Sequence, residues 1–227
     1  MSNFHHKKHL FLLLNLLILT SGKAQTYLSP LPDILSADQF QLKYYQALNE
    51  SLLLGLNRKP LARTIHLPTW SNKQVISVEF KDKKYYLFCR IIEQKNWHTF
   101  YKHYPEKSPK PLDFTEFKKI ISKELAFILN ELFTRYTSKT QFQDEFMIGI
   151  DGKNVIDSNV YVDGETYIFH SFSNVDHRIG QTRTPIKSTP MAELVQISID
   201  MTAVARDSGK EENLLISAKK LLDKTQN

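Results

Sequence analysis

Val75-Ile76-Ser77-Val78-Glu79-Phe80-Lys81-Asp82-Lys83-Lys84-Tyr85-Tyr86-Leu87-Phe88-Cys89-Arg90-Ile91-Ile92 holds two runs rich in β-branched and aromatic residues, Val75 to Phe80 and Lys84 to Ile92, around the polar link Lys81-Asp82-Lys83. That pattern predicts a β-hairpin. Upstream, Ser36-Ala37-Asp38-Gln39 has the spacing of a capping box, and Phe40, Tyr44, Ala47, Leu48 and Leu52 recur on one helical face until Gly55, a residue suited to ending a helix. A loop containing Pro60 and Pro68 connects this helix to the hairpin. Downstream, Pro109 and Pro111 stop the chain, Asp113 can cap with Glu116, and Phe117, Ile120, Ile121, Leu125, Ile128, Leu132 and Tyr136 form a wide apolar stripe. This predicts a helix from Asp113 to Tyr136 as the spine of the core.

The second half turns to strands. Phe146 to Ile150 and Asn154 to Ile156 flank Asp151-Gly152, and Val160 to Val162 and Thr166 to Phe172 flank Asp163-Gly164, the dipeptide favoured in tight hairpin turns. After an irregular stretch from Ser173 to Ser188, Thr189-Pro190 reads as a cap and first helical residue, with Leu194, Ile197, Met201 and Val204 on one face as far as Ser208-Gly209. A last amphipathic helix runs from about Glu211 to Lys224. The order helix, hairpin, helix, meander, two helices predicts an α+β fold: an antiparallel sheet, built of a hairpin plus a meander, covered by about four helices. Whether the two halves share one sheet does not follow from this order.

Residues 1–24 begin with His5, His6, Lys7, Lys8 and His9, run apolar from Leu10 to Leu19 with one break at Asn15, and close with Gly22-Lys23-Ala24. That is the layout of a secretory signal peptide, and its apolar run is about half the roughly 20 residues a membrane span needs. The expected organisation is a leader at 1–24 and one α+β domain at 25–227, soluble and secreted or periplasmic, without stable membrane insertion once the leader is removed. The single cysteine, Cys89, excludes an internal disulfide and a cysteine zinc cluster; in its apolar run it reads as a buried hydrophobe.

Thirty basic against 24 acidic side chains give a net charge of +6, and loss of Lys7, Lys8 and Lys23 leaves +3. The distribution is polarised: residues 58–123 carry +9 and residues 124–227 carry −4. A basic half steers toward anionic partners such as acidic glycans, phospholipid headgroups, nucleic acid or an acidic protein, of which an anionic ligand or an acidic protein is expected and nucleic acid is not, while the excess of lysine over arginine also suits a merely solvated surface. Within it, Lys95-Asn96-Trp97-His98-Thr99-Phe100-Tyr101-Lys102-His103-Tyr104-Pro105 interleaves rings with cations. Lys95, Trp97, Tyr101 and Lys102 are the candidate ligand-binding residues, against the alternative that the rings pack in the core.

Seven scattered glycines leave no place for a phosphate loop or dinucleotide fingerprint, and no cofactor is expected. Asp151, Asp157 and Asp163 lack the alternate-position oxygens of a helical calcium loop, and no strong zinc spacing is present, so no metal site is expected. His170, Asp176 and His177, near Arg178 and Arg183, form the one group that could carry hydrolytic chemistry, with Ser171 or Ser173 as a nucleophile activated by an imidazole. Against it, neighbouring strand residues point to opposite faces and no strand-turn-helix elbow surrounds Ser171. The expected function is a non-enzymatic binding or interaction module for an anionic ligand or partner protein; the alternative is a secreted or periplasmic hydrolase using His170, Asp176 and His177. The leader reading has a direct test: intact-mass spectrometry of the exported protein is expected to show a chain beginning at Gln25, and a full-length species held in the membrane would contradict it.

Overall fold

A computed structural model of the chain describes residues 27–29, 48–93, 112–141, 146–148, 154–156, 164–173, 176–185 and 187–225. After a helical segment at 48–53 come β1 (Ala62–Pro68), β2 (Lys73–Lys81), β3 (Lys84–Ile92), β4 (Thr115–Ile121), α1 (Lys123–Ser138), β5 (Phe146–Ile148), β6 (Asn154–Ile156), β7 (Glu165–Phe172), β8 (His177–Arg183), α2 (Pro190–Ala205) and α3 (Glu211–Lys224). Six strands form one open antiparallel sheet in the order β4-β3-β2-β1-β7-β8, while β5 and β6 pair separately. The fold is α+β.

The predicted hairpin is β2–β3, paired from Lys73↔Ile92 to Lys81↔Lys84. Its turn uses no glycine: Asp82 and Lys83 take φ of 52° and 60°, the two left-handed residues that match strand twist in a two-residue turn. Side chains alternate across the sheet, so each strand serves two cores. On one face Ala62, Ile76, Val78, Leu87, Tyr167 and Phe169 meet α1, α2 and α3. On the other, Ile65, Val75, Tyr86, Phe88 and Ile92 meet Leu48, Leu52 and Leu56. Burial on both faces is why β2 and β3 read as nearly unbroken apolar runs rather than as alternating ones.

The helix expected over Asp113–Tyr136 is divided. Thr115–Ile121 is strand β4, paired with β3 from Ile91↔Thr115 to Tyr85↔Ile121, and α1 starts at Lys123 with the Ser122 hydroxyl accepting from the Leu125 N–H at 3.2 Å. The apolar positions before Ser122 fit a helical and a strand period equally, and the hydrogen-bonding edge of β3 decides between them. Ile120, expected in the core, is consequently 53% exposed. The C-terminal part of the stripe holds: α1 buries Leu125, Ala126, Leu129, Leu132, Phe133 and Tyr136, with Phe133 edge-on to Phe169 at 5.5 Å.

Two further strands arise where loops were expected. β1 lies in the Pro60–Pro68 stretch, and β8 in the stretch 173–188. Gly180 gives the reason for β8: a Cβ there would stand 2.6 Å from Thr140 Oγ1 and 2.7 Å from Leu28 Cβ, so close packing rather than β propensity holds the strand. Its outer edge is bridged by Ser29, which exchanges hydrogen bonds of 2.8 and 2.7 Å with Gln181. The expected meander is therefore not continuous, since β5–β6 stands apart and Val160–Val162 lies outside the described residues. The two halves do share a sheet, through β1 and β7.

The end of the first helical segment at Gly55 (φ 71°), the Thr189 cap and Pro190 start of α2, and α3 all follow the sequence reading; the helix start at Ser36 lies outside the described residues. Cys89 is fully buried, and burial pushes its thiol up to about 11. Leu125→Ala should cost about 2 to 5 kcal/mol in urea unfolding, whereas Ile120→Ala should stay within about 0.5 kcal/mol. Equal losses would contradict the division of the Asp113–Tyr136 stripe.

Candidate functional site

The face of the sheet turned away from α1–α3 carries a row of polar side chains set by register. Arg63 on β1 stands opposite Ser77 on β2 and opposite His170 on β7. Phe172 on β7 stands opposite His177 on β8. The His177 ring stacks on Phe172 at 4.1 Å and 8°, and on His170 at 5.3 Å and 14°. His170 Nδ1 and His177 Nε2 are 3.1 Å apart, so a hydrogen bond forms when one of the two nitrogens carries a proton.

The second nitrogen of His170 is the unusual atom. Nε2 is enclosed and has no hydrogen-bond partner among the described residues. Burial, then the adjacent His177, then Arg63 push the His170 pKa down to about 3, so the ring is neutral near pH 7 and holds one proton between two nitrogens. His177, on the exposed strand end, is also pushed down, by burial and by Arg63, with Asp176 pulling the other way. Arg63 is the resident cation. Its Nε donates to Ser77 Oγ at 3.2 Å, its Nη2 donates to the Asn57 carbonyl at 2.7 Å, and Glu79 Oε1 lies 3.6 Å away.

Against protein-family models, curated proteins and solved structures, the chain gives no match. The site therefore has to be read from its own chemistry.

Of the three residues expected to act together, two meet. Asp176 instead pairs with Arg178 Nε at 2.6 Å, and its backbone closes the β7–β8 turn, the N–H donating to Ser173 Oγ at 3.0 Å and the carbonyl accepting from Ser173 N–H at 2.8 Å. Ser171 falls on the helix-covered face, 2.7 Å from Thr137 Oγ1, as strand alternation requires. Among the described residues no three His, Cys, Asp or Glu side chains are grouped to hold a metal ion. Lys95, Trp97, Tyr101 and Lys102 lie outside the described residues.

Sequence reasoning missed Arg63 and Ser77, because only pairing between distant strands brings them to the histidines, and it missed Phe172, whose place two residues after His170 on one strand face was the available signal. It also missed a second cluster on the opposite face. There His66 stacks on Tyr167 at 4.2 Å and 5°, Glu165 Oε2 lies 3.2 Å from His66 Nε2, and the Tyr167 hydroxyl donates to the same oxygen at 2.5 Å. Gln74 Nε2 is 3.2 Å from the other nitrogen, His66 Nδ1. Burial lowers the His66 pKa against the pull of Glu165. The spacing Glu165-x-Tyr167 put two of these residues on one strand face, but nothing in sequence tied them to His66.

A buried neutral imidazole has a consequence for stability. The folded pKa of His170, about 3, lies below the ordinary 6.5, so the unfolded chain binds the proton first as pH falls. The full contribution is present above 6.5 and is lost progressively down to about 3. His170→Phe, which keeps a ring and cannot titrate, should lose less stability between about pH 7 and about pH 4 than wild type in paired urea titrations. Identical losses would show that His170 titrates normally.

Proposed function

We propose that the protein is a non-enzymatic binding module that takes a carboxylate or phosphate group at the His170–His177 pair. The observation that carries this reading is the enclosed Nε2 of His170, without a hydrogen-bond partner among the described residues, beside a second imidazole and the Arg63 cation. A buried polar atom without a partner costs about 1 to 3 kcal/mol, and a ligand oxygen would relieve it. Charge favours an anion. Arg63 and the two imidazoles oppose one another's protonation, so an arriving negative charge would raise both histidine pKa values and turn neutral rings into charged donors. Phe172, stacked under His177, adds a flat apolar wall.

The hydrolase alternative draws less support. A general base needs an oriented imidazole and a reachable nucleophile, yet Asp176 is held by Arg178, Ser171 bonds across the opposite face, and the buried Ser77 hydroxyl is engaged by Arg63. Export through the leader at 1–24 belongs to the same proposal; among the described residues no helix is long and apolar enough to cross a membrane.

The test is a titration of inorganic phosphate and of succinate followed by proton NMR of the histidine rings. Either anion should move the His177 signals saturably and raise the His177 pKa, and affinity should fall from about pH 6 to about pH 8 as the stabilising proton is lost. His177→Ala should abolish the pH dependence while leaving the fold intact. Histidine signals that ignore both anions would overturn the assignment.

A further inference from the structure

At the β2–β3 turn, on the face of the sheet that carries α1, the protein exposes two phenylalanine rings joined through Tyr85. Phe80, the last apolar residue of β2, and Phe127, in the first turns of α1, are each 50% exposed. Tyr85 bridges them, its ring 4.8 Å from Phe80 and 5.9 Å from Phe127. Such rings standing together in solvent mark a contact surface. Lys81, Lys83 and Lys84 stand exposed on the β2–β3 turn, and Lys123 Nζ lies 5.6 Å from the Phe127 centroid. The side chains of Lys81, Lys83 and Lys84 make no hydrogen bond or ion pair among the described residues.

The nearby acids do not neutralise this end. Glu124 is taken by Lys219, Asp207 by Lys119, and Glu211 accepts from the Ser122 backbone N–H. That leaves Lys81, Lys83, Lys84 and Lys123 against Asp82 of the turn and Glu211, whose backbone partner is uncharged. We infer that this patch adsorbs to an anionic lipid bilayer, with Phe80 and Phe127 entering the headgroup boundary and the lysines of the turn meeting the phosphates. Three features favour a bilayer over a soluble anion or an acidic protein. Phenylalanine gains only from leaving water, and a small anion offers no hydrocarbon to cover it. Lysine is a point charge on a long apolar stem, suited to a diffuse field, whereas recognition of one defined phosphate or carboxylate favours the fork of arginine. The rings and cations share the tip of the β2–β3 hairpin, Phe80 and Tyr85 pairing on the α1 face and Lys81 and Lys84 pairing next to them on the other face, so a flat surface met end-on by the hairpin touches both. Adsorption of this kind is shallow and reversible and needs no spanning segment.

The experiment is co-sedimentation of the full mature chain with vesicles of phosphatidylcholine, with or without phosphatidylglycerol. Binding should require phosphatidylglycerol and weaken with salt. Changing Lys81, Lys83 and Lys84 to Gln should lower the partition by about fivefold for each lysine. Phe80→Ser combined with Phe127→Ser should lower it by about tenfold or more at unchanged salt dependence. The lysine variant keeps the test decisive if the serine variant fails to fold, since its changes lie on the exposed turn. His177→Ala should leave vesicle binding untouched, which separates this surface from the imidazole site. Failure of wild type to sediment with anionic vesicles, equal binding to pure phosphatidylcholine, or retention on immobilised polyglutamate without vesicle binding would each overturn the inference.

Discussion

Everything in the molecule rests on the pairing of β1 with β7. Seven antiparallel pairs, from Ala62↔Ser171 to Pro68↔Glu165, join two stretches of chain that lie on opposite sides of α1 in the sequence. Without them the sheet would divide into a four-stranded β4-β3-β2-β1 piece and a β7–β8 ribbon, and an isolated two-stranded ribbon is at best marginally stable in water. With them, a six-stranded surface exists on which α1, α2 and α3 can bury their apolar sides. The contact is also the expensive one to form, because a long loop has to be closed before it returns any burial.

The same pairing makes the second face a place for charge. Arg63 and Arg90 are nearly fully buried on it, and both reach the chain that leaves the helical segment at 48–53. Arg90 Nη1 donates to the Leu52 carbonyl at 3.3 Å and to that of Leu54, while its Nε holds Glu116 Oε2 at 2.6 Å. Arg63 takes the Asn57 carbonyl, and Glu79 in turn accepts from the Asn57 N–H at 3.1 and 3.2 Å. These donors satisfy carbonyls at a helix C-terminus, where a cation is favoured, and so turn a covering layer with few apolar side chains into a fixed one. Buried ion pairs are weak contributors in themselves, but leaving any one member unpaired is costly. That asymmetry fixes where the segment sits.

Function follows from which polar groups that network leaves over. Arg63 is shared among Ser77, Asn57 and Glu79, yet its field still reaches His170 and His177 and adds to burial, the larger cause, in keeping both rings from protonating readily. An imidazole pair kept neutral by burial and a neighbouring cation is poised to respond to negative charge, and it lies on the opposite face of the sheet from the exposed rings of the β2–β3 turn. One face thus offers an enclosed site and one end offers an open surface, and the chemistry of each differs accordingly.

Local sequence determined whatever depends on neighbours a few residues apart. The β2–β3 hairpin, the Gly55 stop, the Thr189-Pro190 start of α2, α3, and the apolar face of α1 beyond Ser122 were all legible, because capping, turn geometry and period are short-range properties. The pairing of His170 with His177 was half legible, since the two are close in the chain but the strand nature of β8 was hidden in His177-Arg178-Ile179-Gly180-Gln181-Thr182-Arg183, a run with little β propensity. Only tertiary structure decided that Thr115 to Ile121 is strand rather than helix and that Arg63 stands beside His170. Each of these is settled by a hydrogen-bonding edge or a charge supplied from a distant part of the chain, and a register between strands about a hundred residues apart leaves no trace in the local order of side chains.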